Sequence, residues 1–203
     1  MESVLAGALS MGLAYCVYCG SRFGDQPLYE SRAREIGTLI ARSGGQLVYG
    51  GGKVGLMGAV ADATLAAGGQ VIGVIPEALL QREVGHTGLT ELHVVQTMHQ
   101  RKQVMAERAD AFIALPGGIG TLEELYEMWS WQQLGYHDKP VALLNVDGYY
   151  DALLRFMAES HAHGFVSESQ HRALIVDDEP ARLLDKVSAA ALRATAPDDY
   201  SKI

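Results

Sequence analysis

Seven short apolar runs, at residues 13–19, 46–49, 71–75, 92–95, 111–115, 141–146 and 174–176, constrain the fold of this 203-residue chain more than any other feature. They are rich in β-branched residues, and several run apolar without polar alternation, as strands do when a parallel sheet is covered on both faces. Between them lie longer stretches of helical character, at 27–42, 58–67, 98–108, 121–134, 150–161 and 180–192. Strand and helix alternating throughout predict a Rossmann-like, doubly wound α/β fold. It is a mainly parallel sheet of about seven strands with helices on both faces, in a single domain. The expected domain covers 13–195, between an N-terminal extension at 1–12 and a frayed tail at 196–203. In such sheets ligands bind outside the carboxyl ends of the strands, where the strand order reverses.

Two glycine loops stand at such strand ends. The first, Gly50-Gly51-Gly52-Lys53-Val54-Gly55-Leu56-Met57-Gly58, satisfies the dinucleotide spacing G-x-G-x-x-G at Gly50, Gly52 and Gly55, with Glu77 near the place of a ribose-binding acid. That fingerprint normally occupies the first strand–helix turn, whereas another βα unit precedes this one. Nor is it a Walker loop, because Lys53 is followed by Val54 rather than Ser or Thr. The alternative is that these glycines serve only a tight turn and close packing. The second loop, Pro116-Gly117-Gly118-Ile119-Gly120-Thr121, joins a buried strand to a helix opening Leu122-Glu123-Glu124. Glycines let backbone approach a ligand closely, and the free N–H groups of a first helical turn attract an anion, so a phosphate is expected here. Thr121 is expected to cap the helix, as a capping box with Glu124, or to donate its hydroxyl to a phosphate oxygen.

A net charge of -8 and a pI near 5.3 disfavour non-specific attraction to nucleic acid or to an anionic membrane, so an anionic substrate needs a local cationic site. Arg101 and Lys102, just after the fourth apolar run, supply one; a solvated helix face is the plainer account of the pair. No basic segment precedes the apolar residues of 1–12, and no run approaches the roughly 20 apolar residues of a membrane span. A cytoplasmic protein is therefore expected. Cys16 and Cys19, the two cysteines, sit three apart on a strand, so their thiols point to opposite faces and make neither a redox pair nor half a zinc site. His86, His93, His99 and His137 are scattered and read as surface or hydrogen-bonded residues. Tyr126 and Trp129 share a helix face that reads as core or subunit contact, with stacking against a purine as the alternative.

Together these segments resemble the Lonely Guy (LOG) family of cytokinin riboside 5'-monophosphate phosphoribohydrolases, also labelled possible lysine decarboxylases. The pattern P-G-G-x-G-T-x-x-E is met at Pro116, Gly117, Gly118, Gly120, Thr121 and Glu124. Beside it stand Arg101 and Lys102, the loop from Gly50 to Gly58, and the strand end Cys19-Gly20-Ser21. The resemblance implies a catalytic pair, Arg101 and Glu124. It implies substrate contacts at Glu83, Arg101, Lys102, Gly117, Gly118, Ile119, Gly120, Thr121, Leu122, Glu123, Glu124 and Ser130, with further contacts at Ser21, Gly51, Gly52 and Met98. Ile119 replaces a tyrosine, and Ser130 a threonine, of plant members. The resemblance also implies a homodimer, or a hexamer, with sites at subunit contacts. The implied reaction is hydrolysis of the N-glycosidic bond of N6-modified adenosine 5'-monophosphates and AMP, through an oxocarbenium-like sugar that a carboxylate can stabilise. It calls for no metal or organic cofactor. The competing readings are a pyridoxal-phosphate lysine decarboxylase, an NAD oxidoreductase and a non-catalytic nucleotide-binding carrier.

Overall fold

In the computed structural model, which describes residues 12–80 and 85–200, each apolar run becomes a strand. These are β1 (Ala14–Tyr18), β2 (Gln46–Tyr49), β3 (Gln70–Pro76), β4 (Glu91–Val95), β5 (Ala111–Ala114), β6 (Val141–Leu144) and β7 (Leu174–Asp177). The helices are α1 (Pro27–Arg42), α2 (Gly55–Ala66), α3 (Glu77–Leu80), α4 (Met98–Glu107), α5 (Ile119–Leu134), α6 (Asp151–Ala162), α7 (Glu168–Ala173) and α8 (Pro180–Ala191). The sheet runs β4-β3-β2-β1-β5-β6-β7 with every pairing parallel. The chain builds outward from β1 on one side, then crosses back to place β5 against its other edge, with Tyr15 opposite Ala111 and Tyr18 opposite Ala114. Strand order therefore reverses between β1 and β5, and a crevice opens at their carboxyl ends.

Both faces of the sheet are covered, which is why β1, β5 and β6 are buried at every position. Tyr15, Val17 and Cys19 pack against α1, α2 and α8 through Ile36, Ile40, Leu56, Val60, Leu183 and Val187. Ala14, Cys16 and Tyr18 face the other way, toward Met105 and Ala106 of α4 and Leu125 and Met128 of α5. A fully buried Ile36 or Ile40 contributes about 1.5–3 kcal/mol of transfer free energy. The same two-residue period puts the thiols of Cys16 and Cys19 on opposite faces, both buried and unbridged. Burial holds both well above the ordinary thiol range.

Three expectations need correction. Helix α5 begins at Ile119, with Gly118 as N-cap, and no side chain caps it, so Thr121 lies inside the first turn and forms no capping box. The glycines allow this early entry: Gly118 takes an extended conformation, φ -93° and ψ -153°, and its carbonyl accepts the N–H of Leu122 at 3.1 Å. Capping boxes stand instead at α4, between Thr97 and Gln100, and at α7, between Ser167 and Gln170. Likewise α2 starts at Gly55, three residues before its expected beginning: the Gly58 N–H donates to the Val54 carbonyl at 3.3 Å, and Gly55 takes a φ of +58° that few other residues adopt as the chain enters the helix. The expected frayed tail is anchored as far as Tyr200. The Asp138 carboxylate accepts Thr195 and Ala196 N–H groups at 2.7 and 2.8 Å. Tyr200, 7% exposed, packs its ring near Trp131, His137 and the Lys139 ammonium.

Candidate functional site

The crevice between β1 and β5 widens into a cleft of about 470 Å³. The loop after β1, from Cys19 to Asp25, forms one wall, and the loop Pro116–Thr121 after β5 forms the other. Arg101 and Glu124 lie at its base. The two loops touch. Gly20 donates its N–H to the Pro116 carbonyl at 3.0 Å, and a Cβ on Gly117 would stand 2.9 Å from the Gly20 nitrogen and 2.1 Å from the Thr121 hydroxyl oxygen. Gly117 is thus required by its protein neighbours. Gly118 and Gly120 are not: neither has positive φ, and a Cβ on either would meet nothing within 4 Å. Among the described residues, the N–H groups of Gly118, Ile119, Gly120 and Thr121 find no protein acceptor. Four donors at the start of a 16-residue helix, lined by open glycines, make an anion-binding surface.

Arg101 projects from α4, 8% exposed, and its guanidinium is held on three sides. Nε donates to the Val74 carbonyl at 3.1 Å, Nη2 to the Gly50 carbonyl at 3.4 Å, and Nη1 lies 3.8 Å from Glu124 Oε1. Gly50 makes this possible, since a Cβ there would fall 2.0 Å from Nη2. The first glycine loop therefore serves protein packing. Gly50 admits the arginine, Gly51 has a φ of +76° against Ile75, and Gly55 meets the backbone of Ser21 and Arg22. The dinucleotide spacing is accounted for without a dinucleotide.

Glu124, 13% exposed along its side chain, has its carboxyl pushed up to about 7. Burial is the main cause, opposed by Arg101 and Lys102 and reinforced by Glu123 and Glu127. A carboxyl balanced between its two forms near neutrality, beside a fixed guanidinium, suits acid–base work or stabilisation of a developing positive charge.

The cleft gathers Ser21, Arg101, Gly117, Gly118, Ile119, Gly120, Thr121 and Glu124 from the expected set. Others lie outside its lining. Lys102 binds Glu123 at 2.6 Å and Glu127 at 2.8 Å; burial works against its charge, but these two hydrogen bonds raise its pKa nonetheless. Leu122 packs into the core and Ser130 is exposed about 16 Å along α5. Met98 lies beside Arg101, its sulfur 3.9 Å from Nη1, while Gly51 and Gly52 form the floor of the neighbouring loop. Glu83 lies outside the described residues. Tyr29, Tyr149 and Arg22 line the cleft unannounced by any motif; their one signal was position, after β1 and after β6 at carboxyl ends. The histidines lie elsewhere: His86 meets Asp62 at 2.8 Å, His93 meets Glu91, and His137 is buried against the Met128 carbonyl, where burial lowers its pKa to about 4. Among the described residues no group of three or more His, Cys, Asp or Glu is arranged to hold a metal ion, and no helix is long and apolar enough to cross a membrane.

Comparison with known proteins fits this geometry. A family model described as "Possible lysine decarboxylase" matches residues 57–187. The cytokinin riboside 5'-monophosphate phosphoribohydrolase LOG1 of Arabidopsis thaliana is 47% identical over 172 residues, which cover 85% of this chain and 81% of that protein. LOG7 of the same plant is 51% identical over 160 residues, 79% of this chain and 74% of its own length. Among solved structures, a molybdenum cofactor carrier protein of Chlamydomonas reinhardtii has a TM-score of 0.68 at 20% identity, covering 90% of this chain and 99% of its own, a likeness of fold alone. With half or more of its sequence matched by the family model, and plant relatives near 50% identity across most of its length, the chain belongs to the LOG family.

Proposed function

We propose that this protein hydrolyses the N-glycosidic bond of N6-modified adenosine 5'-monophosphates, and of AMP, to free base and ribose 5-phosphate. The observation that carries the reading is the buried Arg101–Glu124 pair, 3.8 Å apart, beside the N–H groups that open α5 and find no protein acceptor among the described residues. The 5'-phosphate sits on the donors of Gly118, Ile119, Gly120 and Thr121, where the helix dipole adds to the hydrogen bonds. That anchor brings the anomeric carbon toward Glu124. As the bond from C1' to the base nitrogen breaks, positive charge grows on the sugar ring, and the Glu124 carboxylate stabilises it and orients the attacking water. Water oxygen bonds to C1', one of its protons ends on the departing base, and ribose 5-phosphate remains. Arg101 holds the carboxylate in place and favours its ionised form against burial.

The relatives' substrate class, stated in their names, supports the choice of a cytokinin-type nucleotide. Glu123 and Ser130, exposed on α5, Leu122 on the same helix, and Lys102 and Met98 on α4 belong to the proposal as substrate or subunit contacts, with Glu83, Gly51 and Gly52 beside them. The proposed assembly is a homodimer, in the cytoplasm. A non-catalytic carrier would use the phosphate surface but has no use for a buried carboxyl balanced near pH 7. The test is incubation with AMP and with N6-isopentenyl-AMP, with base and ribose 5-phosphate resolved by chromatography. Equal release of the two products is expected, and lysine should remain untouched. Tight nucleotide binding without turnover, or cadaverine formation with added pyridoxal phosphate, would overturn the reading.

A further inference from the structure

Two consecutive tyrosines, outside every motif, reach back to the phosphate loop. After β6 the chain makes a tight turn at Val146–Gly148, in which Asp147 adopts a φ of 49°, a left-handed conformation rare for a residue with a side chain. The Asn145 side chain pins the turn, accepting the N–H of Tyr150 at 2.8 Å and donating to the Asp151 carboxylate at 2.7 Å. The tyrosines that follow are thereby fixed, and both hydroxyls donate to carbonyls of the loop after β5. Tyr150, 3% exposed, donates to Leu115 at 2.7 Å; Tyr149, 43% exposed and lining the cleft, donates to Gly117 at 2.7 Å. The Tyr149 ring is itself braced edge-on by Tyr29 at 5.5 Å and Tyr150 at 4.8 Å.

The two bonds differ in consequence. A peptide unit is planar, so holding its carbonyl fixes the direction of the N–H on the same unit. The Leu115 carbonyl shares its peptide with Pro116, which has no N–H. The Gly117 carbonyl shares its peptide with Gly118, whose N–H finds no protein acceptor among the described residues. Neither glycine carries a side chain to restrict that peptide, and a Cβ on Gly118 would meet nothing within 4 Å, so a hydrogen bond at the Gly117 carbonyl is what fixes its plane. We infer that Tyr149 is a positioning residue: through the Gly117 carbonyl it orients the Gly117–Gly118 peptide so that its N–H is preset for the substrate's phosphate. The inference rests on the proposed phosphate site.

The experiment compares the full-length wild type, Tyr149→Phe and Tyr150→Phe by calorimetric titration with inorganic phosphate, by kinetics with AMP, and by thermal denaturation. Loss of one orienting hydrogen bond should weaken phosphate binding in Tyr149→Phe about fivefold and raise KM for AMP by a similar factor. Its kcat should stay within about twofold and its melting temperature should hold, since the phenol is half open to water. Tyr150→Phe, which strips a buried carbonyl of its donor, should melt lower and weaken phosphate binding less. Phosphate affinity in Tyr149→Phe equal to wild type, or weakened as much by Tyr150→Phe, overturns the inference while leaving the proposed function standing. No phosphate binding by the wild type overturns the phosphate site and the inference together.

Discussion

Replacing Glu124 with glutamine keeps the size of the side chain and removes the charge that burial penalises. In the folded protein this carboxyl titrates at about 7 rather than 4.5, so ionising it costs the fold about 3 kcal/mol relative to the unfolded chain. A raised pKa means that the folded state holds the proton more tightly. The group's favourable contribution is therefore full below about pH 4.5 and is lost as the pH rises through about 7. Glu124→Gln escapes that loss. Arg101 forfeits an ionic neighbour but keeps the carbonyls of Val74 and Gly50. The variant should match the wild type near pH 5 and exceed it by about 1–3 kcal/mol at pH 8.5, on the order of 2–12 °C in melting temperature for a chain of this size. Turnover should fall on the order of a hundredfold or more. Thermal melts of both proteins at the two pH values, paired with base release from AMP, make the assay. Parallel melting curves at both pH values would show that Glu124 carries no buried charge, and wild-type turnover would mean that the carboxylate is structural. In the wild type itself kcat/KM should climb about tenfold per pH unit below about 7 and level off above, because the working form is ionised.

Gly50→Ala places a methyl carbon 2.0 Å from Arg101 Nη2, so the guanidinium must leave its seat; activity should drop at least about tenfold, with a stability loss of about 1–3 kcal/mol in urea titration. Gly120→Ala behaves oppositely: with no protein atom within 4 Å of the new Cβ, the first turn of α5 should gain up to about 1 kcal/mol, while KM for AMP should rise severalfold if the methyl crowds the proposed phosphate site. Tyr200→Ala should cost about 3 kcal/mol by calorimetric melting, since it removes a buried ring from Trp131 and His137, with base release at low temperature left near wild type.

What could be read from the sequence was whatever depends on local pattern. β1, β5 and β6 announced themselves as unbroken apolar runs because both faces of each are covered, and the second glycine loop announced itself through glycines that are open to the cleft. What stayed hidden depends on contacts between distant segments. The role of Gly50 is set by an arginine 51 residues away, and the order of the tail by the pocket that Trp131, His137 and Lys139 make for Tyr200. Lys102 and Arg101 are adjacent in sequence yet diverge, one to the acidic stripe of α5 and one to the cleft. The Thr121–Glu124 spacing fits a cap, but the competing charge of Arg101 and the early start of α5 turn both residues to other uses.

The pairing of β1 with β5 brings together residues 96 positions apart, as in the bond from the Ala14 N–H to the Asp110 carboxylate. By contrast β1, β2 and β3 pair in chain order, across connections an αβ unit can close locally. The cleft lies on the seam with the greatest loop-closure cost, so that seam should form late during folding, after the β1–β3 half has assembled. A chain emerging from the ribosome carries the first glycine loop and Arg101 before Pro116–Thr121 exists, and the proposed phosphate surface can form only when β5 docks. Recovery of catalysis after dilution from denaturant should then trail recovery of helical signal. Activity in this protein should report the docking of β5 rather than the assembly of the β1–β3 half.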